Sequence, residues 1–148
     1  MKIIVDTNIV FSAILNSSSS IGKLLIGSKN HFEFYTCDFL RLEILKHRKK
    51  LQTITGLSSN EIAELESLVT ENITFINEKL IPYRIISETE ILLAKIDIND
   101  TPFVALTRHL KGKLWTGDKK LINGLKAKKF KNTLTTKELS ALLDKLER

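Results

Sequence analysis

The sequence predicts an α/β protein, a parallel sheet covered by helices on both faces. Two observations predict it. Short β-branched or aromatic runs alternate with amphipathic stretches along the chain, and no repeat, proline-rich linker or low-complexity tract divides its 148 residues. That length suits one domain with a sizeable core, so residues 1–148 read as a single unit.

Lys2 to Val5 is a β-branched run ended by Asp-Thr-Asn, which reads as a buried strand leaving its sheet. Ile9, Val10, Ala13 and Ile14 follow helical spacing. After the polar loop Asn16–Ser20, Ser20 is placed to cap a second helix carrying Leu24, Leu25 and Ile26. Those three either pack inside or form an apolar face for a second subunit. Phe32 to Cys37 reads as a strand. Asp38 stands as the N-cap of a helix carrying Leu40, Leu42, Ile44 and Leu45, with Lys46 to Lys50 near its C-terminal end. Asn60 to Asn72 shows the cleanest helical stripe, with Ile62, Leu65, Leu68 and Val69 opposite a row of acids. Thr74 to Ile76 reads as a strand, and Ile91 to Ile96 and Phe103 to Leu110 as helices. Leu114 to Thr116 reads as a strand and Leu121 to Leu125 as a helix. Thr133 to Thr135 reads as an edge strand before a final helix, Lys137 to Leu146.

Hydrophobic residues make up 43% of the chain and charged residues 27%, an ordinary globular balance. Apolar runs such as Ile3 to Val5 and Ile91 to Ala94 are far too short to span a bilayer. The N-terminus lacks the apolar stretch of a signal peptide, so a cytoplasmic protein is expected. The single cysteine, Cys37, excludes an internal disulfide and a cysteine-rich zinc site. It follows the aromatic run Phe32 to Tyr35 and reads as a buried apolar residue.

The net charge of +6 is segregated. Residues 108–131 carry nine Lys/Arg against one Asp, residues 41–50 carry five against Glu43, and residues 60–100 carry nine acids against three bases. Concentrated basic segments suit a polyanion, because phosphate neutralisation releases counterions; solvated helix faces are the plainer reading.

Four acids are placed to meet. In a parallel α/β fold the end of each strand and the start of the next helix share one sheet edge, where ligands bind. Asp6 follows the first strand and Asp118 lies two residues beyond Thr116. Asp100 precedes Thr101-Pro102, which suits a first helical turn, and Glu43 lies early in the helix after the second strand. Each has a simpler explanation, since Asp is a good N-cap and Glu43 suits a solvated helix face. Jointly, uncompensated carboxylates repel, and a hard Mg²⁺ or Mn²⁺ ion relieves that conflict with oxygen ligands alone. His31, His47, His109 and Cys37 show no zinc spacing.

The segments Ile4-Val5-Asp6-Thr7-Asn8, helix-borne Glu43, Asp100-Thr101-Pro102-Phe103-Val104-Ala105-Leu106 and Trp115-Thr116-Gly117-Asp118 resemble the PIN-domain family of PilT N-terminus-like nucleases. The resemblance runs over nearly the whole chain, with the motifs in the family's order. It implies a Rossmann-like three-layer α/β/α fold and a metal-dependent endoribonuclease, similar to the VapC-type toxins of toxin–antitoxin pairs. By that resemblance Asp6, Glu43, Asp100 and Asp118 match the catalytic, Mg²⁺-holding acids, while Asn8 and Thr116 match the polar residues that support them. Asp97 competes with Asp100, but its spacing to Phe103 fits the motif less well. Many relatives carry another acid where this sequence has Lys120, which implies one metal or a site completed by substrate. A cognate antitoxin and a homodimer are also implied.

The expected chemistry is hydrolysis of an RNA phosphodiester, with water activated at one or two divalent ions. Lys46, Arg48, Lys49, Lys50, Lys119, Lys120, Lys126, Lys128, Lys129 and Lys131 are candidate phosphate contacts. Two other readings differ in class. A haloacid-dehalogenase-type phosphotransferase would want a second Asp where Asn8 stands. A non-catalytic or ribosome-associated RNA-binding module would bind RNA without cutting it. Trp115 reads as core rather than a base-stacking platform.

Overall fold

A computed structural model describes all residues 1–148. Five strands form one wholly parallel sheet: β1 (Lys2–Val5), β2 (Glu33–Cys37), β3 (Ile73–Ile76), β4 (Lys113–Trp115) and β5 (Thr133–Leu134). Their order is β3-β2-β1-β4-β5. Nine helices connect and cover them: α1 (Thr7–Leu15), α2 (Ser20–Gly27), α3 (Phe39–Lys46), α4 (Arg48–Thr55), α5 (Ser59–Thr70), α6 (Tyr83–Leu93), α7 (Thr101–Leu110), α8 (Lys119–Ala127) and α9 (Thr136–Leu146). The expected α/β/α architecture is therefore present, with the edge strand at 133–134 as read.

Ile3, Ile4 and Val5 are all fully buried, as a strand covered on both faces requires. Right-handed crossovers put α1 to α5 on one face of the sheet and α6 to α8 on the other. The packing agrees: α1 touches α2, α3, α4 and α5, while α7 packs on α6 and across β1, β2 and β4. The chain runs outward from β1 to β3, then crosses back to β4. The order thus reverses beside β1, and a crevice opens at the C-terminal ends of β1 and β4.

Local chemistry explains most boundaries. Ser58 and Glu61 form a reciprocal capping box that starts α5, and Thr135 and Glu138 do the same for α9. Ser19, rather than Ser20, caps α2 by accepting from the Gly22 N–H at 3.2 Å. Asp38 is not a cap; it takes helical backbone angles and makes no capping bond. The single helix expected over 39–50 is broken at His47, because α4 turns to set Leu51 against α1 and α5. The helix expected over 91–96 begins eight residues earlier at Tyr83, after Pro82, and ends at Leu93. Its inward positions Ile85, Thr89 and Leu93 recur every four residues, but the polar Thr89 hides the period.

Of the early apolar face, Leu24 and Leu25 are buried inside this chain and Ile26 is half-buried. Trp115 is fully buried and its indole N–H donates to Thr136 Oγ1 at 3.0 Å, which settles it as core. Cys37 is also buried, and burial pushes its thiol up to about 12. No single helix is long and apolar enough to cross a membrane.

Candidate metal centre

Asp6 continues directly from β1, and Thr116 continues from β4, which pairs Trp115 beside Val5. The Thr36 hydroxyl donates to Val5 O at 2.7 Å and ties this end of β1 to β2. Asp6 caps α1, its Oδ1 accepting from the Ile9 N–H at 3.1 Å. Asp118 caps α8 in the same way, accepting from the Leu121 N–H at 3.1 Å. Its own N–H donates to Thr116 Oγ1 at 3.1 Å, and the Thr116 side chain also hydrogen-bonds Asp6. The fully buried Thr116 hydroxyl thereby links the two aspartates. The plain capping explanation holds for both, yet each cap occupies only one carboxylate oxygen.

Asp100 differs. It stands at the N-cap position of α7 with Pro102 in the first turn, but its side chain makes no capping bond. Its Oδ2 is buried without any hydrogen-bond partner. Such an orphan is uncommon in a folded protein and marks a place where something further belongs. Glu43, in the second turn of α3, accepts a hydrogen bond from the Thr7 hydroxyl. Asp97 caps the 3₁₀ turn Ile98–Asp100 through the Asn99 N–H at 3.0 Å.

These five carboxylates, Asp6, Glu43, Asp97, Asp100 and Asp118, line one cavity of about 240 Å³ with Thr7, Asn8, Phe11, His47, Asn99 and Phe103. Its electrostatics follow. Burial raises Asp6 to about 6, with Asp118 and Glu43 adding to the rise and the Thr116 and Ile9 hydrogen bonds opposing it. Burial raises Asp100 to about 7, reinforced by the charges of Asp97, Asp6, Asp118 and Glu43. Part of the repulsion is offset because α1, α7 and α8 all point their N-termini, the positive ends of their dipoles, toward the cavity.

The donor set fits a hard divalent cation. It is all oxygen, it carries an unpartnered buried carboxylate atom, and it holds two carboxyl groups that resist ionisation. No three carboxylates or histidines close together tightly enough to grip an ion unaided.

The four acids singled out in the sequence are thus brought to one cavity, and Asp97 joins them rather than competing with Asp100. Asn8 lines the cavity, but the hydrogen bond that holds Glu43 comes from its neighbour Thr7. Thr7 and His47 were missed by sequence reasoning. Thr7 carried a usable signal in adjoining Asp6; His47 had none, because it is the helix break that sets it there. His47 packs edge-on against Phe11 with ring centroids 5.7 Å apart.

The cations disperse. Lys119 and Lys120 open α8 directly after Asp118 and are exposed, outside the cavity lining. Lys46 and Lys49 are exposed, and Lys50 lines an adjoining groove with His47, Phe11 and Leu51. Arg48 is committed to Glu66 of α5 at 3.4 Å. Lys126, Lys128, Lys129 and Lys131 are exposed but lie away from the acids. The helix α8 runs back along the sheet before β5, which carries them to the edge opposite the acids.

A family model for the PIN domain matches residues 4–143. No curated protein matches the sequence. Among solved structures, the fold is similar to that of a chain from VapBC2 of Rickettsia felis, determined bound to a DNA fragment from its promoter. The TM-score is 0.68 at 15% identity, covering 91% of this chain and 97% of that one. At that identity the likeness speaks for a shared fold alone.

Proposed function

The chain belongs to the PIN domain family, and from that premise we propose that it is a Mg²⁺- or Mn²⁺-dependent endoribonuclease, acting in the cytoplasm on single-stranded or structured RNA. The observation that carries this reading is the buried, unpartnered Oδ2 of Asp100 in a cavity shared with four other carboxylates. In it, Asp6 and Asp118 would hold the ion, with Asp100 and Glu43 completing its surroundings directly or through water. Bound there, a divalent ion would supply water activation and offset charge on the phosphodiester.

The chain's own groups do the positioning. Capping bonds to Ile9 and Leu121 lock the Asp6 and Asp118 rotamers, and Thr116 spaces the two. Thr7 holds Glu43. Lys119 and Lys120 stand where an RNA phosphate approaching Asp118 would meet positive charge, and Lys120 occupies a position that gives no further carboxylate. This supports a one-ion or substrate-completed site.

We further propose that the protein is the toxin of a toxin–antitoxin pair, a reading supported by the family and by the fold shared with the VapBC2 chain. It predicts a short adjacent reading frame whose product binds and inhibits this protein. A homodimer belongs to the same reading, and static light scattering tests it.

Cleavage of single-stranded RNA with Mg²⁺ or Mn²⁺, abolished by EDTA and by Asp6→Asn, tests the central claim. RNA binding with no cleavage under any divalent ion would instead establish a non-catalytic RNA-binding module.

A further inference from the structure

Lysines of the basic segment gather at the edge of the sheet opposite the carboxylates. Helices α7 and α8 lie on one face, and both end at that edge. Lys111 follows α7; Lys126 stands in the last turn of α8, with Lys128 and Lys129 just beyond it; Lys131 leads into β5. All five are exposed, and none enters an ion pair, the molecule's three pairs being made by Arg48, Arg84 and Arg108. Lys128 and Lys129 line a shallow pocket with Leu92, Phe130 and Arg108, whose charge is met there by Glu88 at 2.8 Å, so the free positive charge of this edge is the lysines' own.

A second observation is independent of charge counting. The only non-glycine residues with left-handed backbone are Lys111, at φ 57, and Lys129, at φ 65. Glycine or asparagine is the usual occupant where a chain leaves a helix in this conformation, because a Cβ is unfavourable there. Both exceptions are lysines, and both stand on this one edge. Attraction to the helix C-termini accounts for one cation per helix end, not for five charges in and past the last turns.

We propose that this edge is a second RNA-binding surface, engaging the phosphodiester backbone of the same strand whose cleaved bond sits at the acids. The choice of RNA rests on the reading above. The geometry permits it: the nine residues of α8 separate the two edges by about 13 Å at 1.5 Å per residue. A stacked strand spaces phosphates by about 3.4 Å, so about four nucleotides bridge the interval.

The test is binding of a 30-nucleotide single-stranded RNA in EDTA, measured across salt concentrations. Replacing Lys126, Lys128 and Lys131 by Gln should weaken binding by at least about tenfold at low salt. It should also flatten the log K against log salt slope by about 2, at roughly 0.7 per phosphate contact. A control with equal charge loss, Lys23→Gln, Lys137→Gln and Lys145→Gln on α2 and α9, should stay within about twofold of wild type. The pair Lys111→Gly and Lys129→Gly should lower affinity while keeping or raising Tm. Unchanged affinity and slope in the first variant, equal weakening in the control, or tighter binding of duplex DNA of the same length would overturn the proposal. So would a drop in Tm for the glycine pair with affinity intact, which is the helix-dipole outcome. Because the assay needs no turnover, a protein that binds through this edge but never cleaves RNA refutes only the nuclease reading.

Discussion

Thr7 donates its side-chain hydrogen bond to Oε1 of Glu43, joining the start of α1 to the second turn of α3 across 36 positions of sequence. Glu43 stands on a helix with no strand end to place it, so this bond is what orients its carboxylate toward the cavity. Thr7→Val keeps the shape and removes the donor. In the proposed nuclease, kcat/KM should fall roughly 10- to 100-fold, the usual effect of removing a group that orients a metal-site carboxylate. Thermal stability should change little. Undiminished cleavage in Thr7→Val would show that Glu43 acts without this support.

Asp118 caps α8 and also faces the cavity, and two substitutions separate the roles. Asn preserves the cap, so Asp118→Asn should keep wild-type stability and lose divalent-dependent cleavage. Ala removes both, so Asp118→Ala should lose cleavage and about 1 kcal/mol of stability as well. Equal activity in the Asn variant and wild type would reduce Asp118 to a helix cap.

Stability of the ion-free protein should fall as pH rises. Asp6 and Asp100 stand at about 6 and about 7 when folded, against 3.8 for an unperturbed Asp. Between those limits the folded state binds more protons than the unfolded state, so stability decreases with pH. Below about pH 4 both states are protonated and no further gain follows; above about pH 7 the full penalty is present. The loss is on the order of a few kcal/mol, or roughly 5–10 °C in Tm between pH 5 and pH 8. Mg²⁺ should restore it at pH 8 and have little effect at pH 5. Differential scanning calorimetry with and without the ion measures both; a Tm that rises with pH in EDTA would contradict the assignment.

Thr116→Val should act on stability rather than on one carboxylate alone. It leaves the Asp118 N–H without its partner and removes a hydrogen bond from the buried Asp6. The expected loss is about 1–3 kcal/mol, read from urea unfolding, together with a further rise of the Asp6 pKa, read by NMR titration.

The sequence by itself determined the parallel α/β class and the meeting of Asp6 and Asp118. Both follow from local rules: apolar runs mark covered strands, and the residue after such a strand lies at the sheet's C-terminal edge wherever the strand sits. It also carried the positions of Asp100 and Glu43, the first through Thr101-Pro102 and the second through resemblance. Only the tertiary structure decided what those acids experience. The missing partner of Asp100 Oδ2, the Thr7 bond to Glu43 and the inclusion of Asp97 are relations between segments far apart in the chain, which no periodicity records. The break at His47 was likewise invisible, because it answers to the packing of Leu51 against α1 and α5 rather than to any helix-stop residue. The lysines give the clearest case. Along the chain Lys119 and Lys129 belong to one basic run, but a helix of nine residues carries charge from one edge of the sheet to the other. Sequence proximity to Asp118 therefore said nothing about distance from the site, and the fold turned one expected cluster into two surfaces.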